Sequence, residues 1–360
     1  MGAVTPEWLT AALREVGIER ASVQSFEASP VGEEYGFTAR LFRLTLQYDQ
    51  AEEGVPASLV AKFPNPSARL AQDPARRRRL HERCAREVLF YQQLGEEAGI
   101  RLPHMYFAAV EEDGARFVLL LEDLTAGQVA GAMERLPPGR IAQVLEAAAD
   151  MHAKWWQHPR LPALQWLPPW GAGGERAQRR LQESRGPFLD QFGRWVPEPV
   201  KRMIDSLTAC YASVLKQLGS SPWTLVHADL HGDNILFDVP GSPVAVVDWQ
   251  GVSRAKAAVD LMHTAADWPD TDDRLALLHG YHDVLLARGV TGYGFDDLLD
   301  DCRLVLLQHL GGVVNGYANF DADAAVPRER ELVLRFFEEG RLFRALLDHD
   351  VGRLLAELAR

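Results

Sequence analysis

The sequence predicts an α+β fold in which a small antiparallel sheet precedes a mainly helical region. Residues 1–122 contain segments in which apolar and polar side chains alternate, as on half-buried strands. Residues 128–360 instead show apolar spacings of three and four, which indicate helices. The chain has 360 residues, of which 47% are hydrophobic, a length that suggests two or three domains, or two lobes that share one cleft.

The first region begins with a helix signal and continues with two strands. Thr5, Pro6 and Glu7 have the order of an N-cap, a first helical proline and an acidic first turn. Residues 37–48 alternate and place one set of apolar side chains on a single face: Phe42, Leu44, Leu46 and Tyr48. Residues 58–63, SLVAKF, form the next predicted strand.

A helix and a hairpin complete the first region. Residues 75–95 carry apolar side chains at helical spacing: Leu80, Cys84, Val88, Tyr91 and Leu94. Strands are predicted at 106–112 and 116–121, joined by Asp113-Gly114, a strong signal for a two-residue turn. The pattern therefore predicts a small antiparallel sheet with a helix packed on it.

The second region is predicted to be helical apart from one hairpin. Its helical segments are 144–156, 201–217, 260–267, 274–287, 296–313 and 328–358. A loop rich in Trp and Pro spans 155–170. The exception is residues 235–237 and 244–247, two apolar strands separated by a Pro-Gly turn.

Polar side chains cluster at the open end of this hairpin. If the hairpin is centred near Gly241, Asn234 lies opposite Asp248 to within a residue or two. Asp229 comes five residues before Asn234. Carboxylate and amide oxygens suit Mg²⁺ that carries phosphate oxygens. Asp229 would lie near the metal without binding it, where a group that orients a nucleophilic hydroxyl is needed.

These residues resemble the catalytic loop and metal-binding Asp of the protein-kinase-like fold. The motif is His227-x-Asp229-x-x-x-x-Asn234, followed by Asp248 after a short hairpin. The variant is nearer to the aminoglycoside phosphotransferase and choline kinase branch. VVDWQ, the EDL at 122–124 and LEAAADMHAKWW are most similar to ecdysteroid-kinase-like (CHK-kinase-like) phosphotransferases. The resemblance extends from about residue 30 to residue 285.

The resemblance implies a two-lobed enzyme that uses ATP and Mg²⁺. Asp229 is then the catalytic residue, and Asn234 and Asp248 bind the metal. Lys62 contacts the α- and β-phosphates and is held by Glu87 on the following helix. The alternatives for these last two residues are a Lys that extends from an edge strand to solvent and a solvated helix Glu.

The resemblance also assigns a hinge and two residues that support the catalytic loop. The backbone of Glu122, Asp123 and Leu124 is expected to hydrogen-bond the adenine, which places a nucleotide-binding lobe at 1–122, a hinge at 123–127 and a helical lobe at 128–360. His227 and Asp260 are expected to support the loop. Asp260 is equally well explained as the N-cap of the helix that begins there.

The sequence departs from protein kinases in three ways. The first lobe has no GxGxxG; the stretch SPVGEEYGFTARLF offers only Gly32 and Gly36. Trp249-Gln250 replaces the Phe-Gly that follows the metal-binding Asp in protein kinases. Only eleven residues separate Asp248 from Asp260, too few for an activation segment or a peptide platform. The sequence therefore favours a small substrate.

Charge and cysteine content limit the partners and the compartment. The net charge of −12, from 50 acidic and 38 basic residues, opposes binding to nucleic acid or to an anionic membrane. Cys84, Cys210 and Cys302 are far apart and fit neither a metal spacing nor a disulfide framework. With no apolar run long enough to span a bilayer, the sequence predicts a cytoplasmic protein. It does not distinguish a monomer from a dimer.

The function predicted is that of an ATP-dependent small-molecule kinase with a hydroxyl acceptor. The alternatives are a nucleotide-binding pseudokinase and, disfavoured by the short segment after Asp248, a protein kinase. The acceptor class stays open among aminoglycosides, macrolides, sterols, sugars and amino-alcohols.

Several further features have an undecided role. Acidic residues at 267–273 and 321–323 suit either a cationic substrate or solvated loops. Five tryptophans suit either an apolar pocket or the core of the helical region: Trp155, Trp156, Trp166, Trp170 and Trp195. The Arg run at 76–79 and Asp238 are expected to be solvated. No role is assigned to His231 or Asp233.

Overall fold

The structure is a computed structural model that describes residues 4–31, 39–65, 74–111, 116–124, 127–129, 136–265, 271–321 and 323–358. Its helices are α1 (Pro6–Arg14), α2 (Pro74–Gln93), α3 (Pro138–Lys154), α4 (Arg160–Ala163), α5 (Gly174–Phe192), α6 (Glu198–Leu218), α7 (Ala258–Ala265), α8 (Thr271–Ala287), α9 (Phe295–Tyr317), α10 (Pro327–Glu339), α11 (Arg341–Asp348) and α12 (Val351–Leu358). Its strands are β1 (Val23–Pro30), β2 (Ala39–Tyr48), β3 (Ser58–Pro64), β4 (Met105–Val110), β5 (Phe117–Glu122), β6 (Gln128–Val129), β7 (Thr224–Val226), β8 (Ile235–Val239), β9 (Ser242–Val246) and β10 (Ser253–Ala255).

The chain divides into two compact units. The first comprises Met1–Gly131 together with Asp233–Val252, and the second comprises Ala132–Gly232 together with Ser253–Arg360. The β8–β9 hairpin, which the sequence pattern places in the helical lobe, therefore makes its contacts within the first unit. The division into lobes at 1–122 and 128–360 with a hinge at 123–127 stays a prediction.

The first unit is built on a five-stranded antiparallel sheet in the order β1-β2-β3-β5-β4. The strand at 58–63 and the two strands of the β4–β5 pair lie where the sequence predicts them, although the Asp113-Gly114 turn lies outside the described residues. Strand β1 was not predicted. Its sequence, VQSFEASP, buries only Val23, because it is an edge strand whose pairing with β2 comes from backbone hydrogen bonds.

One face of the sheet packs on α1. This helix begins after Thr5, whose Oγ1 accepts the N–H of Trp8 at 3.2 Å, as the N-cap signal predicts. Leu9 and Leu13 of the helix are buried against apolar side chains from three strands, namely Leu44, Leu46, Leu59, Ala61 and Leu120. The alternation predicted for residues 37–48 is confirmed at 44–47, where Leu44 and Leu46 are buried and Thr45 and Gln47 are exposed. Phe42 and Tyr48 are half-buried, and residues 37 and 38 lie outside the described residues.

The hairpin of β8 and β9 closes through a two-residue turn. Its register pairs Ile235 with Val246 and Val239 with Ser242, so that the centre falls between Pro240 and Gly241. Gly241 has φ +79°, a backbone conformation that glycine adopts without strain. The register differs by one residue from that of the sequence prediction, and it extends to the N–H of Val247, which donates to the carbonyl of Asn234 at 3.0 Å.

The second unit is helical except for the short antiparallel pair β7–β10. The predicted helices correspond to α3, α6, α7, α8 and α9. Helix α5 was not predicted, because it is strongly polar and contains Gly186 and Pro187 in its interior. The single predicted segment at 328–358 is wrong: it is three helices, since Gly340 and Asp350 have positive φ of 57° and 49° and interrupt it.

Candidate active site

Lys62 is buried in the first unit between two carboxylates. Its strand β3 lies between β2 and β5, so it is a central strand, and the residue is only 4% exposed. Lys62 Nζ lies 2.6 Å from Glu87 Oε2 and 2.6 Å from Asp248 Oδ1. Glu87 is 1% exposed on α2. Lys62 therefore does not extend to solvent, and Glu87 is not a solvated helix residue.

The two carboxylates keep the Lys62 ammonium charged. Burial by itself lowers the pKa of Lys62, but the charges of Glu87 and Asp248 and their hydrogen bonds outweigh it, and the pKa lies above its usual value. A buried cation with two anionic partners is a fixed positive charge that can interact with a polyanionic ligand.

Residues 248–250 are anchored to helix α2. Trp249 stacks on Phe90 with ring centroids 4.1 Å apart and an interplanar angle of 12°. The backbone N–H of Trp249 also hydrogen-bonds the Glu87 carboxylate. Trp249, at the position of the Phe that follows the metal-binding Asp in protein kinases, thus fixes the chain next to Asp248 by packing and by a backbone hydrogen bond.

Asp248 is held in a left-handed backbone conformation at the end of the hairpin. Its φ and ψ are 63° and 64°, a region that a residue other than Gly adopts at some cost and that Asp tolerates better than most. Gln250 Nε2 donates to Asp248 Oδ2 at 2.9 Å, so that both carboxylate oxygens have a partner. The hydrogen bond from Val247 N–H to the Asn234 carbonyl brings Asn234 beside Asp248 in the chain fold of this unit.

The loop that contains Asp229 is supported by Asp260 in the second unit. Asp260 Oδ2 accepts the N–H of His227 at 2.8 Å, and Oδ1 accepts the N–H of Ala228 at 2.7 Å. Ala228 has φ +68°, so a strained peptide is fixed by a charged acceptor. Because α7 begins at Ala258, Asp260 lies in the first turn of α7 and is not its N-cap.

A buried network extends from Asp260 to two helices. His152 Nε2 lies 3.1 Å from Asp260 Oδ2, and His152 Nδ1 lies 2.8 Å from Tyr281 Oη. Burial acts to raise the pKa of Asp260, but His152, His227 and the N–H of Ala228 outweigh it and hold the pKa below its usual range. No role was predicted for His152 from the sequence; a His in the apolar interior of a helix, as in LEAAADMHAKWW, was the available signal.

Asp229 and His231 lie together in the same loop. His231 Nε2 is 3.5 Å from Asp229 Oδ1, and the His231 N–H donates to the Asp229 carbonyl at 3.0 Å. The Asp229 N–H donates to His227 Nδ1 at 3.3 Å. Asp229 is half-buried, which leaves part of its carboxylate accessible to a ligand, whereas Asp233 is exposed.

The side chains of Glu122 and Asp123 are engaged within the first unit. Both Glu122 oxygens lie 2.8 Å from Arg101 Nη2, and Oε2 also accepts the N–H of His104. Asp123 Oδ2 accepts from Arg43 Nε at 2.8 Å and from Ser58 Oγ at 2.7 Å. The two side chains therefore stabilise the end of β5.

Leu124, by contrast, is buried in an apolar cluster with hairpin residues. The members of this cluster are Leu124, Leu236, Val239 and Ala245, with Val247 packed against them. Residues 125 and 126 of the predicted hinge lie outside the described part of the chain.

A model of the phosphotransferase enzyme family (APH) matches residues 48–297. The chain belongs to this family. No curated protein sequence matches this phosphotransferase. Its fold is similar to three solved structures. The first is an aminoglycoside 2'-phosphotransferase-IIIa with GDP, at 16% identity and TM-score 0.55, covering 94% of this chain and 99% of that one. The second is a spectinomycin phosphotransferase with ADP and spectinomycin, at 11% identity and TM-score 0.56, covering 97% of this chain and 99% of that one. The third is a choline kinase from Cryptosporidium parvum, at 11% identity and TM-score 0.54, covering 98% of both chains.

These neighbours confirm the α+β, protein-kinase-like fold that the sequence predicts, and the family model confirms a phosphotransferase. The most specific sequence resemblance, to ecdysteroid-kinase-like enzymes, is not among these findings. Across the described ranges, none of the helices is both long and apolar enough to cross a bilayer.

The donor chemistry of this phosphotransferase fits a magnesium ion. Asp248 has a carboxylate and Asn234 an amide, and both offer oxygen donors of the kind that Mg²⁺ prefers. Gln250 Oε1 beside them is buried and finds no hydrogen-bond donor among the described residues, so a further oxygen lies close to Asp248. In the described part of the chain, no group of three or more His, Cys, Asp or Glu is arranged to hold a metal ion.

The remaining features noted in the sequence are either packed in the helical region or exposed to solvent, and a role of the acidic residues in binding a cationic substrate stays a prediction. Trp155 is buried, and Trp156, Trp170 and Trp195 pack in or against the helical core, while Trp166 is half-buried. In the Arg run, the hairpin turn and the two acidic segments, these described side chains are exposed: Arg77, Arg78, Arg79, Asp238, Asp272, Asp273, Asp321 and Asp323. The Arg76 side chain, Gly32, Gly36, residues 267–270 and Ala322 lie outside the described residues.

Proposed function

We propose that the protein is an ATP-dependent small-molecule kinase that transfers the γ-phosphoryl group to a hydroxyl of a small substrate. The observation that carries the proposal is the buried contact of Lys62 with both Glu87 and Asp248. Positioned cations are what phosphoryl transfer requires, because negative charge spreads over the phosphate oxygens in the transition state.

Each assigned residue has one task in this mechanism. Lys62 interacts with the α- and β-phosphates, and Glu87 holds its ammonium in place. Asn234 and Asp248 are the residues that would hold Mg²⁺. When bound, this ion neutralises charge on the β- and γ-phosphates. The backbone of Glu122, Asp123 and Leu124 is assigned to the adenine.

Asp229 acts on the acceptor. Its carboxylate accepts a hydrogen bond from the acceptor hydroxyl and directs the oxygen lone pair at the γ-phosphorus. As the new O–P bond forms and the bond to the β-phosphate oxygen breaks, the hydroxyl proton passes to Asp229 and ADP leaves. Proton transfer is late because the transition state is loose, so most of the rate enhancement comes from positioning and electrostatics.

The strained loop explains how Asp229 is held for this task. Asp260 accepts the N–H groups of His227 and Ala228, and the ring of His227 accepts the N–H of Asp229. Three successive backbone N–H groups are thus fixed, so the backbone from which the Asp229 side chain extends is held in one conformation. His227 and Asp260 are assigned this supporting role.

The acceptor class is part of the proposal. Enzymes of the neighbouring folds are solved with kanamycin and with spectinomycin, and another neighbour is a choline kinase. An aminoglycoside or amino-alcohol is therefore the first class to test. Sterol-like alcohols follow, because VVDWQ, EDL and LEAAADMHAKWW resemble ecdysteroid-kinase-like enzymes.

The test is ADP release from Mg·ATP in the presence of pooled hydroxylated compounds. The pools contain aminoglycosides, amino-alcohols, macrolides, sugars and sterols, and Asp229→Asn is the control. We expect a signal in one pool that falls at least about 100-fold in the control. Mg·ATP binding without transfer in any pool would instead favour a nucleotide-binding module, and phosphorylation of a generic protein would favour a protein kinase.

A further inference from the structure

Arg43 lies on the same face of the sheet as Lys62. Leu41 pairs with Lys62, and Arg43 pairs with Val60, in the antiparallel register of β2 and β3. Residues that lie directly opposite each other on neighbouring strands project to the same side of a sheet. The side chains of Leu41, Arg43, Val60 and Lys62 therefore share one face.

This face differs from the one that packs on α1. The α1 side is filled by the alternate residues of the same strands, among them Leu44, Leu59 and Ala61. On the Lys62 side, Leu41 is 37% exposed and Val60 is half-buried. A short apolar strip therefore lies between the Lys62 ammonium and the Arg43 guanidinium.

The orientation of the Arg43 guanidinium is fixed at one edge. Arg43 Nε donates to Asp123 Oδ2 at 2.8 Å, and the same oxygen accepts from Ser58 Oγ at 2.7 Å. The Asp123 side chain is 6% exposed, whereas that of Arg43 is 35% exposed. A rigid planar cation is thus held by a buried carboxylate through Nε, with part of its surface open to a ligand.

The spacing along the strands matches a nucleotide that lies along this face. Val60 is two residues from Lys62, roughly 6–7 Å along the strand, and Arg43 is on the next strand, about 5 Å further. We propose that the Arg43 guanidinium stacks on the purine base of the nucleotide whose phosphates contact Lys62. Asp123 is the positioning residue that sets the plane of the guanidinium. This inference rests on the proposed function.

The chemistry of the residues supports a base as the occupant. A guanidinium stacks on flat aromatic rings through cation–π attraction, which a hydrated ammonium does less well. The apolar strip of Leu41 and Val60 suits the faces of a base and a ribose, and Lys62 suits the phosphates. A mere second phosphate contact would need neither the apolar strip nor a guanidinium turned away from Lys62 by Asp123.

The experiment compares two ligands that differ in having a base. Dissociation constants of ADP and of inorganic tripolyphosphate, both with Mg²⁺, are measured by calorimetry on the full chain and on Arg43→Leu. We expect Arg43→Leu to weaken ADP binding about tenfold and to leave tripolyphosphate binding unchanged. Arg43→Lys keeps the positive charge but lacks the planar guanidinium, and it is expected to weaken ADP binding by about threefold. It replaces Arg43→Leu in the experiment if that variant does not fold.

Arg116→Leu is the matched control. Arg116 also pairs with a carboxylate, that of Glu111, but it immediately precedes β5 and its side chain is 81% exposed. The ADP affinity of Arg116→Leu is expected to equal that of the unsubstituted chain. Unchanged ADP binding in Arg43→Leu would overturn the inference, and so would an equal loss for both ligands, which would mean a charge effect alone. If the unsubstituted chain binds tripolyphosphate and ADP with equal affinity, only the inference about Arg43 is overturned. If the unsubstituted chain binds neither ligand, the proposed function itself is contradicted.

Discussion

Lys62 and Asp248 are 186 residues apart in the sequence and 2.6 Å apart in the structure. The same ammonium lies 2.6 Å from Glu87. One strand, one helix and the residue after a hairpin therefore converge on a single charge. The consequences of removing each partner differ, because each carboxylate has a different second task.

Replacing Asp248 is expected to abolish turnover while the chain stays folded. Asp248→Asn keeps the side-chain shape and a residue type that tolerates the left-handed backbone at φ 63°. It removes the charge proposed to hold Mg²⁺, and we expect turnover to fall at least about a thousandfold. Turnover and the thermal midpoint are measured together. A variant that retains most of its activity would show that Asp248 is not the metal ligand.

Replacing Glu87 is expected to reduce turnover less severely. In Glu87→Gln the Lys62 ammonium keeps Asp248 as its partner but loses the buried anion that fixes its position. A displacement on the order of 1 Å costs about 100-fold in rate, so we expect a loss between about tenfold and 100-fold. Steady-state kinetics at saturating ATP measure this loss. Glu82→Gln, at an exposed position of the same helix, is the control. Unlike Glu87→Gln, it should leave the turnover rate at saturating ATP unaltered.

Replacing Asp260 is expected to destabilise the protein as well as to inactivate it. Asp260→Ala leaves the N–H groups of His227 and Ala228 and the ring of His152 without their buried acceptor. Each such loss costs about 1–3 kcal/mol, and we expect a total loss in the free energy of unfolding of about 3 kcal/mol. Denaturant midpoints check this value. Asp260→Asn retains one acceptor oxygen, so its denaturant midpoint should lie between those of the unsubstituted chain and Asp260→Ala. Equal midpoints for all three chains would mean that the network contributes nothing to stability.

The stability of the protein is expected to fall between about pH 7 and pH 5 because of His349. Burial, together with the nearby charges of Arg274 and Arg303, lowers the pKa of His349 to about 4. Arg274 Nη1 lies 2.8 Å from His349 Nε2, so the neutral ring accepts this hydrogen bond. An unfolded His has a pKa of about 6.5, so below that pH the unfolded state takes up a proton that the folded state excludes until about pH 4.

Because the folded pKa is depressed, the neutral His349 supports the fold fully only above about pH 6.5, and this support is lost as the pH falls toward 4. We expect a loss of about 1–2 kcal/mol in the free energy of unfolding between about pH 7 and pH 5. His349→Gln keeps an acceptor for Arg274 but does not titrate. If its unfolding free energy falls as steeply over this range as that of the unsubstituted chain, His349 is not the source.

The parts of the site that the sequence predicts are those encoded in consecutive residues. Asp229, Asn234 and Asp248 are candidates selected by their spacing within one short stretch, and Lys62 is a candidate selected by the family resemblance and its place in an apolar strand. The register of the hairpin was missed by one residue because a two-residue turn places the centre between Pro240 and Gly241 rather than at Gly241. Such an offset depends on turn geometry, which apolar patterning does not specify.

Features that depend on distant partners could not be predicted. Strand β1 has a polar sequence and owes its conformation to pairing with β2. Helix α5 is stabilised by packing of a few buried residues, such as Leu181 and Phe188, despite Pro187 in its interior. Arg43 is one of 33 Arg in the chain, and only the register with Val60 and the contact with Asp123 distinguish it from the rest.

The hairpin at 233–252 makes the first unit discontinuous in sequence. A chain shortened to residues 1–131 would lack Asp248, which pairs with Lys62, and β8, which is the pairing partner of β6. It would also lose Trp249, leaving the face of Phe90 uncovered. During synthesis this unit therefore cannot be completed until more than 250 residues have been made. A minimal fragment that contains the whole first unit would have to join 1–131 to 233–252 through an artificial linker.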